Sequence, residues 1–196
     1  MAEINRSLSQ GLDLWKEERI QRARGLLSVC GIDEAGRGPL AGPVVAACVQ
    51  LPFECELPGV FDSKALKPDE RDQAFQSITD TAISIGIGIV EPSRIDALNI
   101  LRATHQAMRE AFAGLSFPAD VALIDGLPVH PFPCLQKAIV KGDAKSISIA
   151  AASIIAKVTR DRIMDELHEK YPEFRFDLHK GYPTALHFEQ LNKYGP

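Results

Sequence analysis

The stretch GIDEAGRGPLAGPVV, residues 31–45, decides how this chain is read. Two acids, Asp33 and Glu34, close the apolar run LLSVCGID, and Gly36, Gly38, Gly42 and a single cation, Arg37, follow at once. The apolar run and the later PVVAACVQL have the composition of buried strands, so the segment from Gly36 to Pro43 is expected to join them as a hairpin. An acid at the end of a buried strand is ordinarily a turn former or a cap, and the glycines alone read equally well as a tight turn at positive φ. Recurrence sets this case apart. VALIDG, residues 121–126, is a further buried strand that runs into Asp125, and LQKAIVKGD, residues 135–143, is a strand leading to Asp143.

Working outward, residues 1–25 carry Leu8, Leu12, Leu14, Trp15 and Ile20 among charges and predict a helix laid over the main domain. DSKALKPDERDQAFQSITD, residues 62–80, opens as an Asp-Ser turn and continues into a short helix with Pro68 in its first turn. AISIGIGIV alternates small and branched residues as a third strand would, and its glycines lack the spacing of a phosphate loop. A short helix near residues 93–98 and a longer one through Ala103, Ala107, Met108, Ala111 and Phe112, ending at Gly114, come next. SISIAAASIIAKVTRDRIMDELHEKY predicts one long, Ala-rich helix, and HKGYPTALHFEQL a turn followed by a helix. Strands first, then helix and strand in alternation, give an α/β protein: a mixed sheet with helices on its faces.

The 196 residues suffice for one sizeable core, and 45% hydrophobic with 24% charged residues describes a soluble globular chain. No apolar run is long enough to span a membrane, and the N-terminus is too polar for a secretory signal, so a cytoplasmic location is expected. Cys30, Cys48, Cys55 and Cys134 form no CxxC pair and have no zinc-like spacing with histidine; they are expected to be reduced and mostly buried. The net charge of −4 argues against a nucleic-acid partner, but residues 137–162 carry six cations against two acids. Screening confines distant charge to roughly 8–10 Å, so a local basic face can still bind phosphates.

If the strands ending in Asp33 and Asp125 are parallel neighbours, both carboxylates open on the crevice where α/β sheets bind ligands. Several carboxylates there repel one another by several kcal/mol unless protons or cations intervene. Oxygen-only donors favour Mg²⁺ or Mn²⁺, and a pair of such ions can activate water and stabilise the leaving oxygen in phosphodiester cleavage. The glycines then let backbone amides approach a ligand closely, and Arg37 can pair with a phosphate or hold the loop. GIDEAGRG nearly spells the phosphate loop G-x-x-x-x-G-K-[ST], but it fails chemically. Arg37 stands for the lysine, Gly38 for the Mg²⁺-binding hydroxyl, and two acids would sit inside a triphosphate cradle.

Together with DSK at 62–64, IDG at 124–126, KGDAKSISIAAASIIAKVTRD at 141–161 and HKGYPT at 179–184, the opening motif resembles ribonuclease HII, the bacterial type 2 ribonuclease H, from about Leu27 to the C-terminus. The resemblance implies a ribonuclease H-like fold: a central mixed five-stranded sheet flanked by helices, with a C-terminal helical segment. Residues 27–196 would form the catalytic domain and residues 1–26 a helical extension. It implies cleavage of the RNA strand of RNA/DNA hybrids and incision 5′ of single ribonucleotides in duplex DNA. Two ions of Mg²⁺ or Mn²⁺ would serve, with 3′-hydroxyl and 5′-phosphate products. By motif, Asp33, Glu34, Asp125 and Asp143 become the metal-binding catalytic carboxylates, with Asp161 a rival for the fourth place. Gly36, Arg37 and Gly38 become the loop that reads the 2′-hydroxyl, and Tyr182 stacks on the following deoxyribose. Lys64 matches a phosphate-contacting lysine, a solvated lysine being the equal alternative. Arginine in DEAGRG and the short N-terminal segment fit the HII branch rather than HIII. A hybrid-binding module without catalysis and a junction-resolving nuclease are the competing readings, and nothing demands more than a monomer.

Overall fold

A computed structural model describes residues 13–60 and 66–196. Its centre is a five-stranded sheet of β1 (Val29–Ala35), β2 (Val44–Gln50), β3 (Ser84–Val90), β4 (Val121–Asp125) and β5 (Leu135–Ile139), in the order β3-β2-β1-β4-β5. β1 and β2 pair antiparallel, as do β2 and β3, whereas β4 runs parallel to β1 and β5 parallel to β4. The expected mixed sheet is therefore present, with β1 at the seam between its antiparallel and parallel halves. The connection between β1 and β2 is an eight-residue loop, 36–43, longer than a tight turn.

Among the described residues the α-helices are α1 (Lys16–Ala23), α2 (Pro68–Thr81), α3 (Pro92–Leu98), α4 (Ile100–Ala113), α5 (Ile147–Lys170), α6 (Phe176–His179) and α7 (Ala185–Tyr194). Strand alternation divides the core between the two faces of the sheet. Cys30, Ile32, Val44, Ala46, Cys48, Ala122 and Ile124 pack under α4, while Ala47, Val49, Val29 and Leu123 face α5. β3 turns its small residues inward, leaving Ile87 and Ile89 about 40% exposed.

α5 fixes the architecture. Its 24 residues span about 36 Å, and every residue from Ile147 to Ala156 is buried, which accounts for an apolar sequence with no polar face in that half. Gly31 lets it approach: a Cβ there would lie 2.1 Å from the Ser148 carbonyl carbon. The helix start is capped from outside. The Ile147 amide donates to the Leu14 carbonyl at 2.9 Å, the Ser148 amide to Glu18 Oε1 at 3.1 Å, and the Ile149 amide to Ser146 Oγ at 3.3 Å. These are amides that a helix cannot satisfy internally.

The N-terminal segment thus acts as a brace, but not by the apolar pattern its sequence displays. Leu14 and Trp15 pack on the core, Ile20 faces solvent at 39% exposure, and the residues buried on α1 are Glu18 and Gln21. Donors at the start of α5 engage Oε1 of the buried acid, while its Oε2 has no hydrogen-bond partner among the described residues, an arrangement that hydrophobic periodicity does not register. Leu8 and Leu12 lie outside the described residues.

A second expectation is also corrected. The last strand does not run on to Asp143; it ends at Ile139, Lys141 adopts a left-handed conformation, and Asp143 sits in a single 3₁₀ turn, Gly142–Ala144. Hydrogen bonding explains the break, because the Gly142 amide leaves the ladder and donates to Asp125 Oδ1 at 2.6 Å.

Candidate active site

The parallel pairing of β1 and β4 matches Ile32 with Ile124, so Asp33 and Asp125 are next in register. Both have the parity of Gly31 and Leu123 and therefore project to the α5 side, on strands about 4.8 Å apart. Asp33, Glu34, Gly36, Arg37, Asp125 and Tyr182 line one cleft together with Ala35, Arg71, Ser153 and Lys157. Its volume of about 270 Å³ lies just below that of most small-molecule pockets.

The acids are poorly compensated. Asp33 is 6% exposed and its carboxyl is held well above the usual carboxylate range, first by burial and then by the charges of Glu34 and Asp125. Hydrogen bonds from the Ser153 side chain and from the Glu34 amide, at 2.7 Å, oppose that shift. Burial also raises Glu34, against the nearby guanidinium of Arg37, which pairs with Glu34 Oε1 at 3.2 Å from a half-exposed position. Two full charges about 5 Å apart cost about 3 kcal/mol at an effective dielectric near 20. Such a cluster either keeps protons or attracts a cation.

An all-oxygen donor set suits hard divalent ions. Among the described residues, no three histidine, cysteine or acidic side chains are grouped to hold an ion as they stand. One oxygen of Asp125 is engaged by the Gly142 amide. Asp143 is buried, one residue beyond that amide, and is not among the residues lining the cleft. The donors fit a divalent ion in chemistry and burial, and the Gly142 amide ties Asp125 to the turn that carries Asp143.

The other sequence-derived residues separate by role. Gly36 adopts φ +107°, and a Cβ there would lie 2.5 Å from the Pro43 carbonyl oxygen and 2.6 Å from Arg160 Nε. Gly38 has open space, the nearest atom to its would-be Cβ being Tyr182 Cε1 at 3.9 Å. Gly38 is not among the residues that line the cleft. Lys64 lies outside the described residues. Asp161, the rival fourth acid, is surrounded by cations: Lys157 Nζ lies 2.5 and 2.6 Å from its oxygens and Arg71 lies 3.6 Å away.

Arg71 and Ser153 have no counterpart among the residues predicted from the sequence, whereas Lys157 and Arg160 belong to the basic stretch 137–162. Two of these four share a helical spacing with Asp161: Ser153, Lys157 and Asp161 recur at i, i+4 and i+8, which puts them on one face of α5. Arg160 is fully buried and binds backbone on both sides of the cleft mouth. Nothing in its sequence neighbourhood separates it from a solvated arginine. The four cysteines are free, Cys30 and Cys48 buried, and no described helix is long and apolar enough to cross a membrane.

A five-stranded mixed sheet with acids at the carboxyl edge of its central parallel pair is the ribonuclease H-like fold, and solved structures agree. The ribonuclease H2 of Pyrococcus horikoshii superposes with a TM-score of 0.73 at 30% identity, covering 86% of this chain and 89% of that one. The ribonuclease HII in the PCNA complex from Archaeoglobus fulgidus gives 0.72 at 31% identity, covering 86% and 88%. Residues 30–196 match the sequence profile of the Ribonuclease HII family. The Ribonuclease HII of Geobacter sulfurreducens is 54% identical over 183 residues, which is 93% of this chain and 84% of that protein. That of Acetivibrio thermocellus is 51% identical over 193 residues, 98% of this chain and 74% of the relative. The chain belongs to the ribonuclease HII family.

Proposed function

We propose that this chain is a metal-dependent endoribonuclease that cuts the RNA strand of RNA/DNA hybrids and incises duplex DNA on the 5′ side of a single embedded ribonucleotide. Family membership supports ribonuclease H activity in general. The observation that carries the finer reading is that the Asp33 and Asp125 carboxylates share one cleft with the glycine loop and Tyr182. Charge for hydrolysis and bare backbone for reading a sugar therefore meet in one cleft.

In this reading Asp33, Glu34, Asp125 and Asp143 would hold two divalent cations, Mg²⁺ or Mn²⁺. Bound there, such ions supply Lewis-acid stabilisation of phosphate oxygens and a nucleophilic water at neutral pH. The chain's own groups do the selecting. Backbone at Gly36–Gly38 approaches the 2′-hydroxyl, the donor and acceptor that separates RNA from DNA. Tyr182 stacks against the next sugar, and Arg37, released from Glu34 at the mouth, can pair with a phosphate. Lys157 and Arg71 form a cationic wall for the polyanion, with Asp161 moderating their charge. Hydrolysis of the P–O3′ bond leaves a 3′-hydroxyl and a 5′-phosphate. The catalytic unit runs from residue 27 to 196 and acts as a monomer, with α1 as its brace.

The test is incubation with Mg²⁺ or Mn²⁺ and three duplexes: an RNA/DNA hybrid, DNA with one ribonucleotide, and all-DNA. Cutting of the first two, with the second nicked on the 5′ side of the ribonucleotide, is expected, and chelation should stop both reactions. An intact single-ribonucleotide duplex would sink the finer reading, and binding without cutting would favour a hybrid-binding module.

A further inference from the structure

Arg160 projects from α5 between the two segments proposed to read the sugar. Fully buried, it donates from Nε to the Pro43 carbonyl at 3.0 Å, from Nη2 to the Ala41 carbonyl at 3.0 Å, and from Nη1 to the Lys180 carbonyl at 2.9 Å. The first two acceptors belong to the 36–43 loop and the third to the turn that carries Tyr182. Its Cζ lies 5.7 Å from the centre of the Tyr182 ring, and its Nε is the side-chain atom that a Cβ on Gly36 would strike. Among the described residues, one backbone hydrogen bond joins the two segments directly, Leu40 N–H to the Gly181 carbonyl at 2.8 Å.

We propose that Arg160 is a positioning residue that sets the distance between the glycine loop and Tyr182, and through that distance the preference for an isolated ribonucleotide. This rests on the function proposed above. A planar guanidinium offers donors in fixed directions, so three carbonyls bound to it hold a defined relative geometry that a flexible ammonium or an apolar side chain cannot reproduce. Loop 36–43 has no regular structure of its own, so its position relative to the turn depends on these few bonds.

The substrate explains why the distance matters for one reaction more than the other. A single ribonucleotide in DNA presents one 2′-hydroxyl and one following deoxyribose, so both reading elements must engage neighbouring nucleotides at once. A continuous RNA strand presents a 2′-hydroxyl at every step, and a displaced loop still meets one. Misplacement on the scale of 1 Å can cost about 100-fold when the geometry is unique.

The experiment compares kcat and KM for wild type and Arg160→Lys on the single-ribonucleotide duplex and the hybrid. Expected is a loss in kcat/KM about tenfold greater on the single-ribonucleotide duplex, with a near-wild-type circular dichroism spectrum. Equal losses on both duplexes would overturn the proposal, because a merely structural role lowers both alike. Should Arg160→Lys not fold, Leu40→Pro, which deletes the backbone tie at an exposed loop residue, must lower the same ratio, and an unchanged ratio there overturns the proposal. Failure of wild type to cut the single-ribonucleotide duplex is a separate result, visible in the control arm, and strikes the functional reading itself.

Discussion

Glu18 and Asp33 are both buried carboxylates against α5, 2% and 6% exposed, and their surroundings are opposite. Glu18 Oε1 accepts from Ser146 Oγ at 2.6 Å, Ser148 Oγ at 2.6 Å and the Ser148 amide at 3.1 Å, at the positive end of the helix dipole. Asp33 has the Glu34 amide and Ser153 as donors, and its nearest charges are two further acids. Donors converge on the first acid and like charges on the second. Burial alone therefore does not mark a functional acid. Uncompensated charge separates the two, and it makes Asp33 the candidate for a group that a bound cation relieves.

Breaking the second half of this comparison has the largest effect. Asp33→Asn keeps shape and removes charge, so a fall in cleavage of at least about 10³-fold is expected. Thermal stability in chelator should stay level or rise by about 1–3 kcal/mol as the repulsion is relieved. Wild-type rates in the variant, with metal present, would refute the assignment. The pH dependence follows in sign. An acid whose folded-state carboxyl is raised stabilises the fold below the unfolded-state value of about 4, and that stability is lost as pH climbs to the folded value. Metal-free wild type should thus lose stability as pH rises above about 4, and Asp33→Asn should flatten that slope in a thermal melt series.

Breaking the first half costs stability instead. Glu18→Ala strands the Ser148 amide and removes the acceptor shared by the Ser146 and Ser148 hydroxyls, which are left only each other at 3.1 Å, a loss of about 2–4 kcal/mol. For a chain of this size that is a fall of about 5–15 °C in Tm. Cleavage below the transition should stay within about threefold, because the removed acid neither lines the cleft nor reads substrate. Glu18→Gln, which keeps an acceptor, should fall between the two. An unchanged Tm in Glu18→Ala would mean that the brace carries no load.

The same contrast tells what the sequence could disclose. The strand segments, the long helix and the Gly114 end of the helix before β4 were legible, because apolar runs and turn residues encode them directly; the parallel meeting of Asp33 with Asp125 entered only as a condition, since strand order is set by tertiary pairing. Glu18 was not, since its donors come from residues 146–148, and no local pattern links positions 130 apart. Arg160 was hidden for the same reason: its partners are carbonyls, which carry no residue identity. Asp143 is named by motif alone and was placed at the end of a strand, because LQKAIV reads as extended and the competing bond from Gly142 to Asp125 is a tertiary event.

Gly36 and Gly38 repeat the comparison on backbone. Gly36→Ala puts a methyl at positive φ against the Pro43 carbonyl and Arg160, and should cost about 1–3 kcal/mol along with activity. Gly38→Ala meets nothing closer than Tyr182 at 3.9 Å, so Tm should hold. The added methyl stands where a sugar is proposed to enter, and kcat/KM on a single-ribonucleotide duplex should drop about tenfold. Equal Tm losses in the two variants would erase the distinction between a structural and a reading glycine.

Asp161→Asn is the smallest expected effect and the sharpest control. Asp161 is an acid near the same cleft, yet its neighbours are Lys157 and Arg71 rather than carboxylates, so it neutralises charge where Asp33 accumulates it. Partly exposed pairs of this kind contribute about 0.5–1 kcal/mol. Asparagine should therefore leave cleavage within about fivefold and, by unmasking two cations, tighten duplex binding about two- to threefold at low salt, an advantage that fades as salt rises. Cleavage lost as completely as in Asp33→Asn would return Asp161 to the fourth carboxylate's place and remove Asp143 from it.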